Sequence, residues 1–199
     1  MGKRISDLFL ANVEKFHADN IYIPTRTIYF GGTNVLDDEP DEVNCKTVGQ
    51  FIKNLHILEA KEIAPISVLL NTPGGSWEDG IAVYDIINNL KSKVNILGMG
   101  KIWSMGSIIF QAGSKRVLLP NSTIMIHDGK DGYIGDSKSF ENWARESERI
   151  RQTMYKIYYE QIKKKKSRIT LKDIEDMCSH DKIFTAKEAI RWGLADRIM

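Results

Sequence analysis

A chain of 199 residues suits one domain, long enough to bury a core with no metal or disulfide to hold it. Its 28 Lys and Arg stand against 26 Asp and Glu, a net charge of +2, which argues against the broad basic surface of a general nucleic-acid binder. Cys45 and Cys178 lie far apart with no metal or framework spacing, and no window approaches the ~20 apolar residues of a membrane span; a soluble cytoplasmic protein with both cysteines as ordinary packing residues is the expectation.

From the N-terminus, Ile5, Leu8, Phe9, Val13 and Phe16 recur at helical spacing and predict an amphipathic helix over 3–17. Residues 1–24 are read as an N-terminal axial or docking segment, with packing on the chain's own domain as the equal alternative. Residues 25–199 are read as a single domain. TRTIYFGG (25–32) has strand character that stops at paired glycines, and DDEPDE (37–42) reads as a solvated loop. A helix over 48–62 follows, then the apolar run ISVLLN (66–71), the turn TPGG, and a helix over 76–91 opened by a Ser cap with acids in its first turn. VNILGMG (94–100) is the next strand. KIWSMGSIIFQAG (101–113) leads from strand to helix, and RVLLP and STIMIH (116–120 and 122–127) are two further short strands.

Strands alternating with helices at this spacing, each continuously apolar, imply parallel βαβ units and an α/β fold. DGYIGD (131–136) reads as a glycine-rich hairpin or ribbon. Residues 137–166 are polar but carry an apolar stripe through Phe140, Trp143, Ile150, Met154, Ile157, Tyr158 and Ile162. A helix of that span, about 45 Å, outreaches a domain of this size and is expected to protrude toward a partner. Lys163 to Lys166 suit its C-terminal end, and TLKD (170–173) reads as a capping box opening another helix.

Chemistry concentrates where strands end. Ser104 sits at the first turn of a helix that follows a strand, where unpaired N–H groups carry partial positive charge; its plain reading is an N-cap, its functional one a nucleophile. Gly106 and Ser107 leave room for a close approach, although Ile102 stands where the nucleophile-elbow motif has glycine. A serine attacks carbonyls only if a base accepts its proton. His17 and His56 fall in helices, whereas His127 closes STIMIH at the strand edge where α/β sheets gather their sites. Composition alone cannot choose an orienting carboxylate from 26 acids. TPGGS (72–76) adds a βα turn whose N–H groups no Cβ shields.

Taken together, NTPGGSWEDGIAVYD (71–85), GMGKIWSMGSIIFQAGSKRVLLPNSTIMIHDGKDGYIGD (98–136) and DKIFTAKEAIRWGLADRI (181–198) resemble the ClpP family, the proteolytic subunits of Clp proteases, in the same order. That resemblance implies a crotonase-like α/β fold and a serine endopeptidase with Ser104 as nucleophile, His127 as base, Asp181 as the orienting acid, and the backbone N–H groups of Gly75 and Met105 as oxyanion donors. It further implies heptameric rings stacked to a tetradecamer through a handle of strand plus long helix, here about 131–166. No metal or cofactor is implied, ATP entering only through an AAA+ unfoldase partner that delivers unfolded protein. Asp128 and Gly129 replace the family's Gln-Pro after the histidine, and Ser179 and His180 replace its acid-arginine pair between rings. Ser67 to Leu70 lack the aromatics of its ATPase-docking pocket, which leaves docking of a standard Clp ATPase in doubt. Two alternatives stay open: a catalytically silent ring subunit, and a crotonase-type acyl-CoA enzyme that needs no serine.

Overall fold

The computed structural model describes residues 2–31, 42–130 and 132–199, with side chains from residue 7 onward. Gly32, the acidic stretch 37–41 and Asp131 lie outside the described residues.

The centre of the molecule is a sheet in the order β1-β2-β3-β4-β5-β8. Strands β2 (Thr27–Phe30), β3 (Ile66–Thr72), β4 (Val94–Trp103), β5 (Lys115–Leu118) and β8 (Arg197–Ile198) are parallel, and β1 (Ile21–Tyr22) adds an antiparallel edge. The parallel strands are joined by helices, as the alternating sequence pattern requires. On β3 the residues Ile66, Val68 and Leu70 are wholly buried. Strand β4 divides its pairing. Its first half lies on β5, and after glycines 98 and 100 its last residues, Lys101 to Trp103, lie on β6 (Thr123–Ile126). Strand β6 in turn pairs antiparallel with β7 (Lys182–Thr185). The β6–β7 pair therefore stands off the main sheet at the C-terminal end of β4.

Several helix ends are fixed by side chains the sequence reading passed over. Helix α2 (Cys45–Lys61) begins three residues before the expected start, because Asn44 caps it and Thr47 returns a hydrogen bond to the cap. Cys45, expected as a packing residue, is exposed in this first turn, whereas Cys178 is buried as expected. Burial, and secondarily Asp128, push the Cys178 thiol up to about 12. At the other end of α2 the Arg26 guanidinium donates to four carbonyls, those of Leu58, Glu62, Ala64 and Pro65, and so closes the connection into β3. The Ser76 cap of α3 (Trp77–Asn89) and the Thr170–Asp173 capping box of α6 (Leu171–Cys178) form as read.

Helix α1 (Gly2–Asp19) lies beside β1, with Phe16 edge-on to Tyr22 and Asn54 of α2 donating to the Asp19 carbonyl. It leaves Leu8, Phe9 and Leu10 exposed. The long helix α5 (Ser137–Ile162) is capped by Asp136 and spans about 39 Å over its 26 residues. From Ser137 to Thr153 it buries no side chain, and from Met154 onward it enters the core. It ends at Ile162, four residues short of the expected end, and Lys163 to Lys166 form a turn instead. The expected hairpin or ribbon over 131–136 is not formed in residues 132–136: this glycine-containing segment pairs with no strand among the described residues.

Candidate active site

Strand register brings the three predicted side chains together. Met125 of β6 lies beside Trp103 of β4, so the residue after β4, Ser104, meets the residues that end β6. In the antiparallel β6–β7 ladder Ile126 faces Lys182, and one step further along the same register His127 faces Asp181. The contacts follow: His127 Nε2 is 2.7 Å from Ser104 Oγ, and His127 Nδ1 is 2.9 Å from Asp181 Oδ1. An ionised carboxylate only accepts, so Nδ1 carries the proton and Nε2 is left to accept from the serine hydroxyl. The His127 side chain is 23% exposed and that of Asp181 70%.

Ser104 does not behave as the N-cap its position suggests. It precedes α4 (Met105–Gln111), yet its side chain makes no capping bond, which leaves Oγ to the imidazole. Its backbone takes φ 49° and ψ −122°, a conformation rare outside glycine that costs about 1–3 kcal/mol. One long-range bond and two local ones hold that strain. The Ser104 N–H donates to Met125 O at 2.9 Å, and its carbonyl accepts from the Ser107 N–H at 2.9 Å and the Ser107 hydroxyl at 2.7 Å. The elbow forms although Ile102 occupies the motif's first glycine position. Gly106, after the serine, is required: a Cβ there would lie 2.4 Å from Thr72 Cγ2.

The PGG turn lies against the same point. Gly74 (φ +108°) would place a Cβ 2.6 Å from Ser104 Cβ and 3.1 Å from the Met105 nitrogen, so only glycine lets the two backbones approach. Val43 pins the turn from behind, donating to Gly74 O at 2.7 Å and accepting from Ser76 N–H at 2.8 Å. Among the described residues neither the Gly75 N–H nor the Met105 N–H donates to a protein acceptor. Both belong to segments beside Ser104, placed to receive negative charge developing on a bound carbonyl.

Asp128 is half-buried and hydrogen-bonded. It accepts from the Tyr155 hydroxyl at 2.8 Å, and its N–H donates to Cys178 O at 2.8 Å. His180 contacts Ser179, its ring Nδ1 3.2 Å from Oγ. An open groove of about 930 Å³ runs from Ser104 and His127 along α5, lined by Trp77, Ile108, Tyr133, Trp143, Ile150 and Met154 among others. Among the described residues no group of three or more His, Cys, Asp or Glu side chains is placed to hold a metal ion, and no helix is long and apolar enough to cross a membrane. Sequence reasoning missed Val43 and Tyr155, read Ser107 only as a small residue leaving room and Tyr158 only as part of an apolar stripe, and marked Gly74 without its neighbour Ser104. Val43 and Tyr155 carried no signal of a role at the site.

An α/β sheet with a hydroxyl, an imidazole and a carboxylate hydrogen-bonded in series beside unpaired amides defines a protein equipped for attack on a carbonyl. Residues 38–199 match the family model for Clp protease. Over 136 residues, 67% of this chain, the sequence is 35% identical to the ATP-dependent Clp protease proteolytic subunit of Deinococcus radiodurans, and the match spans 64% of that protein's length. The chain belongs to the Clp protease family.

Proposed function

We propose that the chain is a serine endopeptidase that cleaves peptides or unfolded proteins by acyl transfer. The observation that carries this reading is the unbroken series Asp181–His127–Ser104, with both contacts at hydrogen-bond distance. Ser104 Oγ attacks a peptide carbonyl while His127 Nε2 takes its proton. His127 then returns that proton to the departing amine, and water hydrolyses the acyl-serine by the same route. Asp181 holds the imidazole tautomer and stabilises the imidazolium, and the N–H groups of Gly75 and Met105 bind the tetrahedral oxyanion, a donor worth about 10²- to 10³-fold in rate. No cofactor takes part in these steps.

Assembly follows from the family. The projecting half of α5 suits contacts between copies, in heptameric rings stacked to a tetradecamer, and a closed chamber restrains an otherwise general peptidase. By the family resemblance, ATP enters only through a partner unfoldase; the lack of aromatics along Ser67 to Leu70 of β3 argues for a partner other than a standard Clp ATPase. Free thiols at Cys45 and Cys178 accord with a reducing, cytoplasmic setting.

Intact mass after treatment with a fluorophosphonate tests the chemistry. One adduct per chain is expected on the wild type and none on Ser104→Ala, with the circular dichroism spectrum unchanged. An undiminished adduct on the variant removes Ser104 from the mechanism. No adduct on the wild type favours the silent ring subunit, or, with tight acyl-CoA binding, the crotonase-type alternative.

A further inference from the structure

Helix α5 reaches the reacting centre through a buried pair of hydroxyls. Tyr158, wholly buried, places its hydroxyl 2.6 Å from Ser107 Oγ, and Ser107 Oγ lies 2.7 Å from the carbonyl oxygen of Ser104. The directions follow from counting protons. A carbonyl can only accept, so the one Ser107 hydroxyl proton goes to Ser104 O, and Ser107 Oγ accepts in turn from Tyr158. Burial raises the Tyr158 pKa far above its usual value, so its hydroxyl stays a donor at any working pH.

The carbonyl held in this way belongs to the peptide unit whose other end is the Met105 N–H. That unit is planar and trans, with its C=O and N–H directed oppositely, so fixing one end aims the other. Two bonds from Ser107, one from its N–H and one from its hydroxyl, fix the carbonyl, while Met105 at the other end lines the catalytic groove. The unit needs such holding, because Ser104 sits in a strained conformation that relaxes once the bonds to its N–H and carbonyl loosen. Tyr158 also polarises the Ser107 hydroxyl, which strengthens the bond to the carbonyl.

We propose that Ser107 and Tyr158 are positioning residues that hold the Ser104–Met105 peptide so that the Met105 N–H points at the oxyanion, and that α5 thereby sets the alignment of the catalytic centre. The inference rests on the serine peptidase reading above. It predicts a defect in the chemical step and not in binding, since the pair touches neither substrate nor groove.

The test measures acylation of wild type, Ser107→Ala and Ser107→Ala/Tyr158→Phe by a fluorophosphonate, with kinact and KI separated, together with urea midpoints. Ser107→Ala is expected to lower kinact about 10- to 100-fold, as small misplacements of catalytic groups do, with KI unchanged. It also leaves the buried Tyr158 hydroxyl unpaired and lowers the midpoint. The double variant removes both partners and regains the midpoint, while kinact stays low. A kinact that recovers along with the midpoint, a wild-type kinact in both variants, or a loss confined to KI overturns the positioning role. No adduct on the wild type instead overturns the peptidase reading on which it stands.

Discussion

Gly74 shows how a residue without a side chain governs the site. A methyl group there meets Ser104 Cβ at 2.6 Å and Trp103 O at 3.0 Å, at a φ of +108° that L-residues rarely adopt. Gly74→Ala must therefore push the PGG turn and the nucleophile apart, which separates the Gly75 and Met105 amides. An acylation rate lowered by about 10²-fold is expected in a chain that remains folded, read as phosphonate labelling beside circular dichroism. Labelling at the wild-type rate would show that the two segments are not coupled as their contact implies. The sequence marked this turn as open to a ligand but not which neighbour it meets. Ser104 is the converse case: its place at a strand–helix junction is legible, but its strained backbone is not, because Met125 of β6 holds its N–H from another part of the fold.

Among the elements, the end of α2 depends on a residue 32 positions before its nearest partner. Arg26 serves four carbonyls around the α2–β3 connection; those of Leu58 and Glu62 also accept a backbone N–H, and for those of Ala64 and Pro65 the guanidinium is the donor. Arg26→Ala is expected to destabilise by about 2 kcal/mol, and Arg26→Lys to recover less than half of that, since an ammonium cannot fork to several acceptors. Urea midpoints of the three proteins decide it, and a midpoint unaffected by Arg26→Ala would remove the cap from any role in stability. Helix existence was legible from apolar periodicity, but the start of α2 was not, because Thr47 occupies the place where a capping box usually shows Glu or Gln. Overestimating α5 by four residues has a similar cause. The lysines are good helix formers, and only the packing of Ile162 and the turn after it ends the helix.

In the whole molecule the projecting half of α5 and the segment before it stand out, with Ile134 fully exposed and Phe140 and Trp143 more than half exposed. Tyr133 stacks loosely against both rings, its centroid 6.2 Å from Phe140 and 6.1 Å from Trp143. An apolar patch on a projecting element is a contact surface, and the proposed ring assembly would use it. Trp143→Glu combined with Ile134→Asp is expected to reduce the native mass to smaller assemblies, whereas the wild type gives the stacked state. An identical mass for both proteins would place the contact elsewhere.

The sequence by itself determined the alternation of strands and helices, the strand ends that carry Ser104 and His127, and, through its resemblance, the family. These rest on short-range causes: side-chain periodicity, caps and the conformational freedom of glycine. Composition could not choose among 26 acids and the resemblance pointed to Asp181, but only the tertiary structure supplies the physical reason, the register of β6 on β7. Tertiary packing also turned Asp128 toward Tyr155 and linked Tyr158 to the nucleophile's carbonyl through Ser107. Such pairings join residues tens of positions apart, and burial of the whole core, not any local preference, brings them into contact.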